Sequence, residues 1–331
     1  MKKIFTLIVA AIAACSTMSA QQGDMTFVGK SNFYVTQGST QMGNTDVASD
    51  TIIYSGANFT IPSMKYGEMV IPSFTIQETT YSGGYSGVTW EDQTWNATAT
   101  DATGTEKSIT GTSLTGSFTH DGGIYNLKLS ITFKYGAMPM PITYTIDGYY
   151  VKPSTDKISV MVGGMFGPYT NDNVTYDGRL YTEDGITKLD VTMHGYDLYD
   201  TVMGDLTLGE YTVKGLVYDE EKGGYYRNYA ADGLTFHFKS SQGMDNDYTF
   251  SKGELLVKMD GTTIAYAENT FQPGAMPFPI VATFGDKETA GIESIDAQAV
   301  EKIKVRKYIE NGMIIIERDG RKYNTSGTML R

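Results

Sequence analysis

Three histidines, His120, His194 and His237, are the chain's candidate metal ligands. A zinc site gathers three or four nitrogen, sulfur or carboxylate ligands around one point, most legibly as a His pair one helical turn apart. No His-Glu-x-x-His and no close His pair occurs, so the sequence points to no metal ligand. Nucleophilic hydrolysis finds no better support. "GTSLTG" at 111–116 misses Gly-x-Ser-x-Gly by one position and leads into a strand rather than a helix. No Gly-x-Gly-x-x-Gly or phosphate loop is present. Asp245-Asn246-Asp247 and Asn171-Asp172-Asn173 offer oxygens to calcium but lack the ligand spacing of a dedicated loop. The expectation is a protein that is not an enzyme, with no catalytic residue, no metal and no cofactor.

Aromatic side chains offer a different chemistry. Trp90, Trp95, Tyr81 and Tyr85 surround a Gly-rich turn, and Tyr218, Tyr225, Tyr226 and Tyr229 recur around a similar one. Rings beside a mobile loop can stack on sugars or cover an apolar ligand. Tyr and Trp are also good strand formers that pack as cross-strand pairs, which is the competing reading. Met138 and Met140 flank Pro139 in "FKYGAMPMPI", where adaptable thioethers would line the mouth of a pocket. The candidate ligand-binding residues are therefore Tyr81, Tyr85, Trp90, Trp95, Met138 and Met140.

The elements that must hold these residues follow from a repeat. Phe-x-x-Gly-Ala-Met-Pro-x-Pro-Ile begins at Phe133 and again at Phe271, 138 residues later. Gly67-Glu68-Met69-Val70-Ile71 aligns with Gly204-Asp205-Leu206-Thr207-Leu208 at an offset of 137, and Asp121-Gly122 with Asp260-Gly261 at 139. Matches held to nearly one register mean a tandem duplication. Inside each copy, Leu127, Leu129, Ile131 and Phe133 alternate with Lys128, Ser130 and Thr132, and Leu234, Phe236 and Phe238 with Thr235, His237 and Lys239. That period of two marks half-buried strands. Asp-Gly and Gly-Gly pairs at Asp121, Asp184, Gly223 and Asp260 mark hairpins. The fold class is all-β: two antiparallel barrels followed by a small C-terminal hairpin. Pro139 and Pro141 lie two apart, so in a strand both missing N–H groups face one neighbour, and the motif is expected to be a closing edge strand. Aligned with Leu234–Phe238, "NATATDATG" at 96–104 offers only Ala and Thr, which predicts the larger cavity in copy one with Trp90 and Trp95 at its edge.

The repeated Gly-Asp/Glu-Met/Leu-x-Ile/Leu strand, followed by Gly-Ala-Met-Pro-x-Pro-Ile, resembles the calycin-like β-barrel domain of exported bacterial proteins. The resemblance covers about residues 24–285 and implies eight antiparallel strands around an interior that takes a small apolar ligand. Barrel 1 is expected over 21–147 and barrel 2 over 148–285, with a cleavable joint at 146–153, then a linker at 286–301. The segment 302–331, "KIKVRKYIENGMIIIERDGRKYNTSGTMLR", is similar to type IX secretion sorting signals. That likeness implies outer-membrane secretion machinery as a partner. Asp50-Thr51-Ile52 and Asp200-Thr201-Val202 resemble a short bacterial O-glycosylation motif.

Residues 1–20 read as a signal peptide, with Lys2 and Lys3 ahead of an apolar run and Ser19-Ala20 as the cleavage site. The alternative is a lipoprotein box, Ile12-Ala13-Ala14-Cys15, anchored at Cys15. Cleavage after Ala20 removes the single cysteine and with it any disulfide or thiolate chemistry. Net charge is −12; residues 301–331 hold eight Lys/Arg against four Asp/Glu, or +4, leaving −16 on the first 300. A surface of that sign excludes nucleic acid, whose binding needs clustered cations. The function expected is that of an exported non-catalytic binding protein for a small apolar or glycan ligand, at the cell surface or secreted, with a periplasmic location as alternative. The competing function is a structural or adhesive surface protein with filled barrels.

Overall fold

The computed structural model describes residues 24–84 and 87–286, and four short strands near the C-terminus. The first half contains β1 (Met25–Gln37), β2 (Thr40–Ser55), β3 (Asn58–Ile61), β4 (Met64–Tyr66), β5 (Met69–Ile71), β6 (Phe74–Ile76), β7 (Ser82–Gly84), β8 (Gly87–Trp90), β9 (Trp95–Thr100), β10 (Glu106–Asp121) and β11 (Ile124–Tyr135). β12 (Ile142–Val162) runs from the first half into the second. The second half adds β13 (Phe166–Glu183), β14 (Ile186–Met193), β15 (Tyr196–Thr201), β16 (Gly204–Leu208), β17 (Tyr211–Asp219), β18 (Gly224–Asn228), β19 (Thr235–Ser240), β20 (Asp245–Asp260), β21 (Thr263–Pro273) and β22 (Ile280–Gly285).

All these ladders are antiparallel, and in the second half they close a ring. β12, β13, β14, β17, β18, β20, β21 and β22 pair in that order, and β22 returns to β12. Closure removes the free edges that an open sheet would present to other chains. The first half makes the same circuit. β12 pairs with β1, then β2, β3 and β6 follow, and β7, β8, β10 and β11 lead back to β12. Here β6 and β7 are two pieces of the strand that is continuous as β17 in the other half. A side sheet of β15, β16 and β19 leans on β20 in barrel 2. Its counterparts in barrel 1 are the separate β4–β5 hairpin and β9 on β10. The buried apolar residues fall into two clusters, Met25 to Ile146 and Ile158 to Phe284.

Two expectations are corrected. The joint expected at 146–153 lies within β12, which pairs with β1 as far as Val151 and with β13 from Val151 onward. The strand exchanges neighbours there without leaving the sheet, so no exposed loop exists for a protease. The Gly-Ala-Met-Pro motif, in turn, is a connection and not an edge strand: 136–141 joins β11 to β12, and 274–279 joins β21 to β22. Gly136 and Gly274 have φ of 57° and 50°, the left-handed region that a side chain resists. Three backbone hydrogen bonds recur. The glycine N–H donates to the strand two back in sequence, Gly136 to Ser108 O and Gly274 to Thr249 O, both at 2.8 Å. Met138 N–H donates to Tyr135 O, as Met276 does to Pro273 O. The last proline carbonyl accepts from the first hairpin of its barrel, Pro141 from Thr36 near the end of β1 and Pro279 from Gly163 in the β12–β13 turn. The motif is written twice because each barrel end needs one turn that ties three connections together.

Both motif turns lie far apart. β12 leaves the first at Ile142 and reaches the matching hairpin of barrel 2 after Val162. Twenty-one residues at about 3.3 Å each make β12 up to ~65 Å long, with its first half in one barrel and its second half in the other. Arg179 Nη1 donates to Val28 O at 3.0 Å and Tyr149 Oη to Thr182 O at 3.4 Å across the junction. The strands β23 (Arg306–Glu310), β24 (Met313–Arg318), β25 (Arg321–Tyr323) and β26 (Met329–Leu330) form a sheet of their own, two strands more than the hairpin expected there.

Candidate functional site

The aromatic residues expected at a ligand-binding edge are core. Trp90 is 2% exposed, its indole N–H donates to Thr79 Oγ1 at 3.2 Å, and its ring meets Phe59, Tyr54 and Tyr81 at 5.1–5.9 Å. Trp95 is 7% exposed, stacks on Phe74 at 5.8 Å and donates to Ser113 O at 3.0 Å. Each indole lies over a glycine of β10, Trp90 opposite Gly116 and Trp95 opposite Gly111. A Cβ on Gly111 would stand 2.1 Å from the Trp95 ring, so the glycine is what makes room. Both tryptophans therefore lie in the core and not at the edge of the cavity expected in copy one. Trp95 continues the inward alternation of Ala97 and Ala99, and its bulk fills the space that Ala and Thr leave. Tyr81 is half-buried against Trp90, and Met138 and Met140 pack from their turn onto the same core. Tyr85 lies outside the described residues.

Barrel 2 is filled at the corresponding level. Phe236 stacks on Phe250 at 4.8 Å, with Phe271 edge-on to both. Asn269, 1% exposed, accepts from Tyr229 Oη at 2.7 Å and donates to Tyr211 Oη at 2.5 Å. Burial pushes both phenols well up, so they stay neutral and hold the asparagine as a satisfied polar knot.

The histidines do not meet. His120 stacks on Tyr125 at 4.1 Å. His194 Nε2 lies 2.9 Å from Asp177 and Nδ1 2.6 Å from Glu210. His237 lies 3.0 Å from Asp245 and 2.8 Å from Asp247. Carboxylates on opposite sides of a ring favour imidazolium rather than a metal, and among the described residues no group of His, Cys, Asp and Glu is arranged to hold one. Of the two Asp-Thr motifs, Thr51 is exposed, whereas Thr201 is buried with its Oγ1 donating to Gly204 O at 2.5 Å.

Among the described residues, an open groove of about 490 Å³ lies on the outer wall of barrel 1. Its size suits a small molecule or a short oligomer. The strand register builds it from rows of directly opposed residues on β1, β12, β11 and β10. One row is Lys30, Asp147, Lys128 and Ser117; the next is Asn32, Thr145, Ser130 and Thr115. Lys128 Nζ lies 3.6 Å from Asp147, which also accepts from Asn126 Nδ2 at 2.6 Å. Asn32 Nδ2 donates to Asn44 and Asp46 at 2.6 and 2.7 Å. Lys30 has no carboxylate within 4 Å among the described residues. Below the groove, Ser31 Oγ and Tyr144 Oη both donate to Asp50 Oδ2, at 2.7 and 2.9 Å. Burial, reinforced by Asp50, pushes the Tyr144 phenol up and keeps it a donor. Beside the groove Gly29 pairs with Gly148, and a Cβ on Gly29 would come within 1.9 Å of Asp147 O. Side chains there would prise β1 from β12.

These residues escaped sequence reading because a polar outer face reads as solvated. Only the register shows that four strands bring their hydroxyls and charges to one place. The matching wall of barrel 2 differs: its row is Ser159, Thr283, Glu268 and Leu256, with Glu268 engaged by Tyr266 Oη at 2.7 Å.

Residues 154–287 match the family model of the calycin-like β-barrel domain. No curated protein matches the chain. Among solved structures, the chain is similar to a "putative outer membrane protein" of Bacteroides fragilis, 15% identical over 79% of this chain and 96% of that one, with a TM-score of 0.28.

Proposed function

We propose that this is an exported, non-catalytic binding protein that takes a hydroxyl-rich ligand, a glycan, in the groove on the outer wall of barrel 1. The groove carries the reading. Ser, Thr and Asn side chains both donate and accept, which suits the hydroxyls of a sugar, and the Lys stems and Thr methyls between them offer carbon to its C–H faces. The buried aromatic packing inside both barrels favours this wall over an apolar ligand inside, and the paired Lys128 and Asp147 fit a neutral glycan better than a strongly charged one. Lys2 and Lys3 ahead of an apolar run support export, and the basic C-terminal segment supports engagement of the outer-membrane secretion machinery.

A second reading has its own observation. Trp90 and Trp95 fill barrel 1 as rivets over glycines, which is what a structural or adhesive module would need. A glycan array probed with the full chain separates the two. Binding is expected to a subset of neutral glycans, and the Asn32→Ala and Ser130→Ala variants should each weaken it about 5- to 10-fold by calorimetry, the scale of one lost hydrogen bond. An array without a hit, or variants that bind as tightly as the parent, would favour the structural reading.

A further inference from the structure

The outer pole of barrel 2 carries a cluster of exposed apolar side chains that the groove does not explain. Met165 and Phe166 stand at the β12–β13 turn, Phe278 in the β21–β22 turn, and Tyr199 and Val202 at the β15–β16 turn. They are 65%, 38%, 40%, 61% and 55% exposed. The three turns are tied together. Phe278 lies against Gly163, where a Cβ would stand 3.1 Å from its ring, and Val202 N–H donates to Tyr169 Oη at 3.2 Å. The duplicated frame makes the Met165, Phe166 and Phe278 part of the cluster informative, because the matching connections of barrel 1 at 38–39 and 136–141 expose no large apolar side chain, while the β4–β5 hairpin that matches β15–β16 exposes Val70. Architecture therefore does not require it, and a patch of this kind marks contact with a partner.

The charges say which partner. Asp197, Asp200 and Asp205 surround Tyr199 and Val202, and none of them meets a Lys or Arg within 4 Å among the described residues. Asp200 holds φ of 55°, and its carboxylate has no hydrogen-bond donor among the described residues. An apolar surface rimmed with carboxylates fits a segment that is both apolar and basic. This chain contains one. Residues 301–331 hold eight Lys/Arg against four Asp/Glu and include the run Met313-Ile314-Ile315-Ile316. The strands of that segment share no ladder with either barrel. Distance permits the contact: β22 ends about 20 Å from this pole, and the 19 residues 287–305 span up to ~65 Å when extended.

We propose that the outer pole of barrel 2 is a docking surface for the chain's own C-terminal segment, with Asp197, Asp200 and Asp205 taking its basic residues and Met165, Tyr199, Val202 and Phe278 its apolar ones. Zero-length carbodiimide cross-linking of the full chain tests this, with isotope-labelled and unlabelled copies mixed to separate links within a molecule from links between molecules. The expected result is a set of within-molecule links from Lys302, Lys304, Lys307 or Lys322 to the three aspartates. These should drop at least tenfold in the Tyr199→Ser/Phe278→Ser variant, whose substitutions are at exposed positions and should leave its circular dichroism unchanged. Links spread over the acidic surface without preference would overturn the proposal. So would links unaffected by the variant, or links only between labelled and unlabelled copies, which would assign the pole to a second molecule.

Discussion

Ala57 occupies the second turn position between β2 and β3 with φ of 75°, following Gly56 at 52°. Both signs belong to the tight hairpin turn whose twist matches its strands, a turn that normally takes glycine or asparagine. A left-handed alanine costs about 1–2 kcal/mol, of which the unfolded-state entropy of glycine returns part. Ala57 O also accepts from Thr79 N at 3.0 Å and Thr79 Oγ1 at 2.7 Å, bonds that glycine would keep. Ala57→Gly should therefore stabilise the protein by about 1 kcal/mol, seen as a higher urea midpoint with an unchanged slope. A lower midpoint would mean that the Ala57 methyl group contributes more by packing than its backbone strain costs.

At the scale of elements, His194 stands where β14 leaves its sheet and bridges Asp177 on β13 to Glu210 just before β17. Burial works against the charged ring, but the two carboxylates outweigh it and raise the His194 pKa above its ordinary value. A group whose pKa rises on folding stabilises the fold fully below its unfolded pKa, near 6.5, and loses that contribution as pH rises through the folded pKa. The melting temperature of His194→Gln should fall further below that of the parent at pH 6 than at pH 8.5. An equal gap at both pH values would mean that the His194 charge does not clamp β13 to β17.

The strands themselves were legible in sequence wherever one face is buried. Leu127, Leu129, Ile131 and Phe133 all face the core as their alternation requires. The Asp184-Gly185 hairpin is also present, with φ of 52° and 75°. Three things were not legible, for distinct reasons. The prolines of 139–141 suggested an edge because spacing alone does not say whether a segment is extended or turning. Trp90 and Trp95 suggested a ligand because the glycines that receive them lie on another strand. The groove is invisible in any one strand, since Lys128 and Thr145 become neighbours of Lys30 and Asn32 only through the register of closed ladders.

For the whole molecule, one continuous strand, β12, couples the two halves, and they differ both in their cores and on their surfaces. Barrel 1 keeps a hydroxyl-rich wall, and barrel 2 an apolar, carboxylate-rimmed pole. Under the proposed function, ligand binds this wall and neither a barrel interior nor the mouth lined by Met138 and Met140. Thr145 faces outward in the middle of the groove and is half-buried, so Thr145→Lys fills the groove without entering the core. Calorimetric titration of the full chain with a glycan identified on the array decides the matter. At least 100-fold weaker binding is expected for Thr145→Lys, and binding within about twofold of the parent for Met138→Ala and Met140→Ala, a 100-fold loss being about 2.7 kcal/mol. Undiminished binding by Thr145→Lys, with loss in the two methionine variants, would contradict this reading and return the ligand to the barrel mouth.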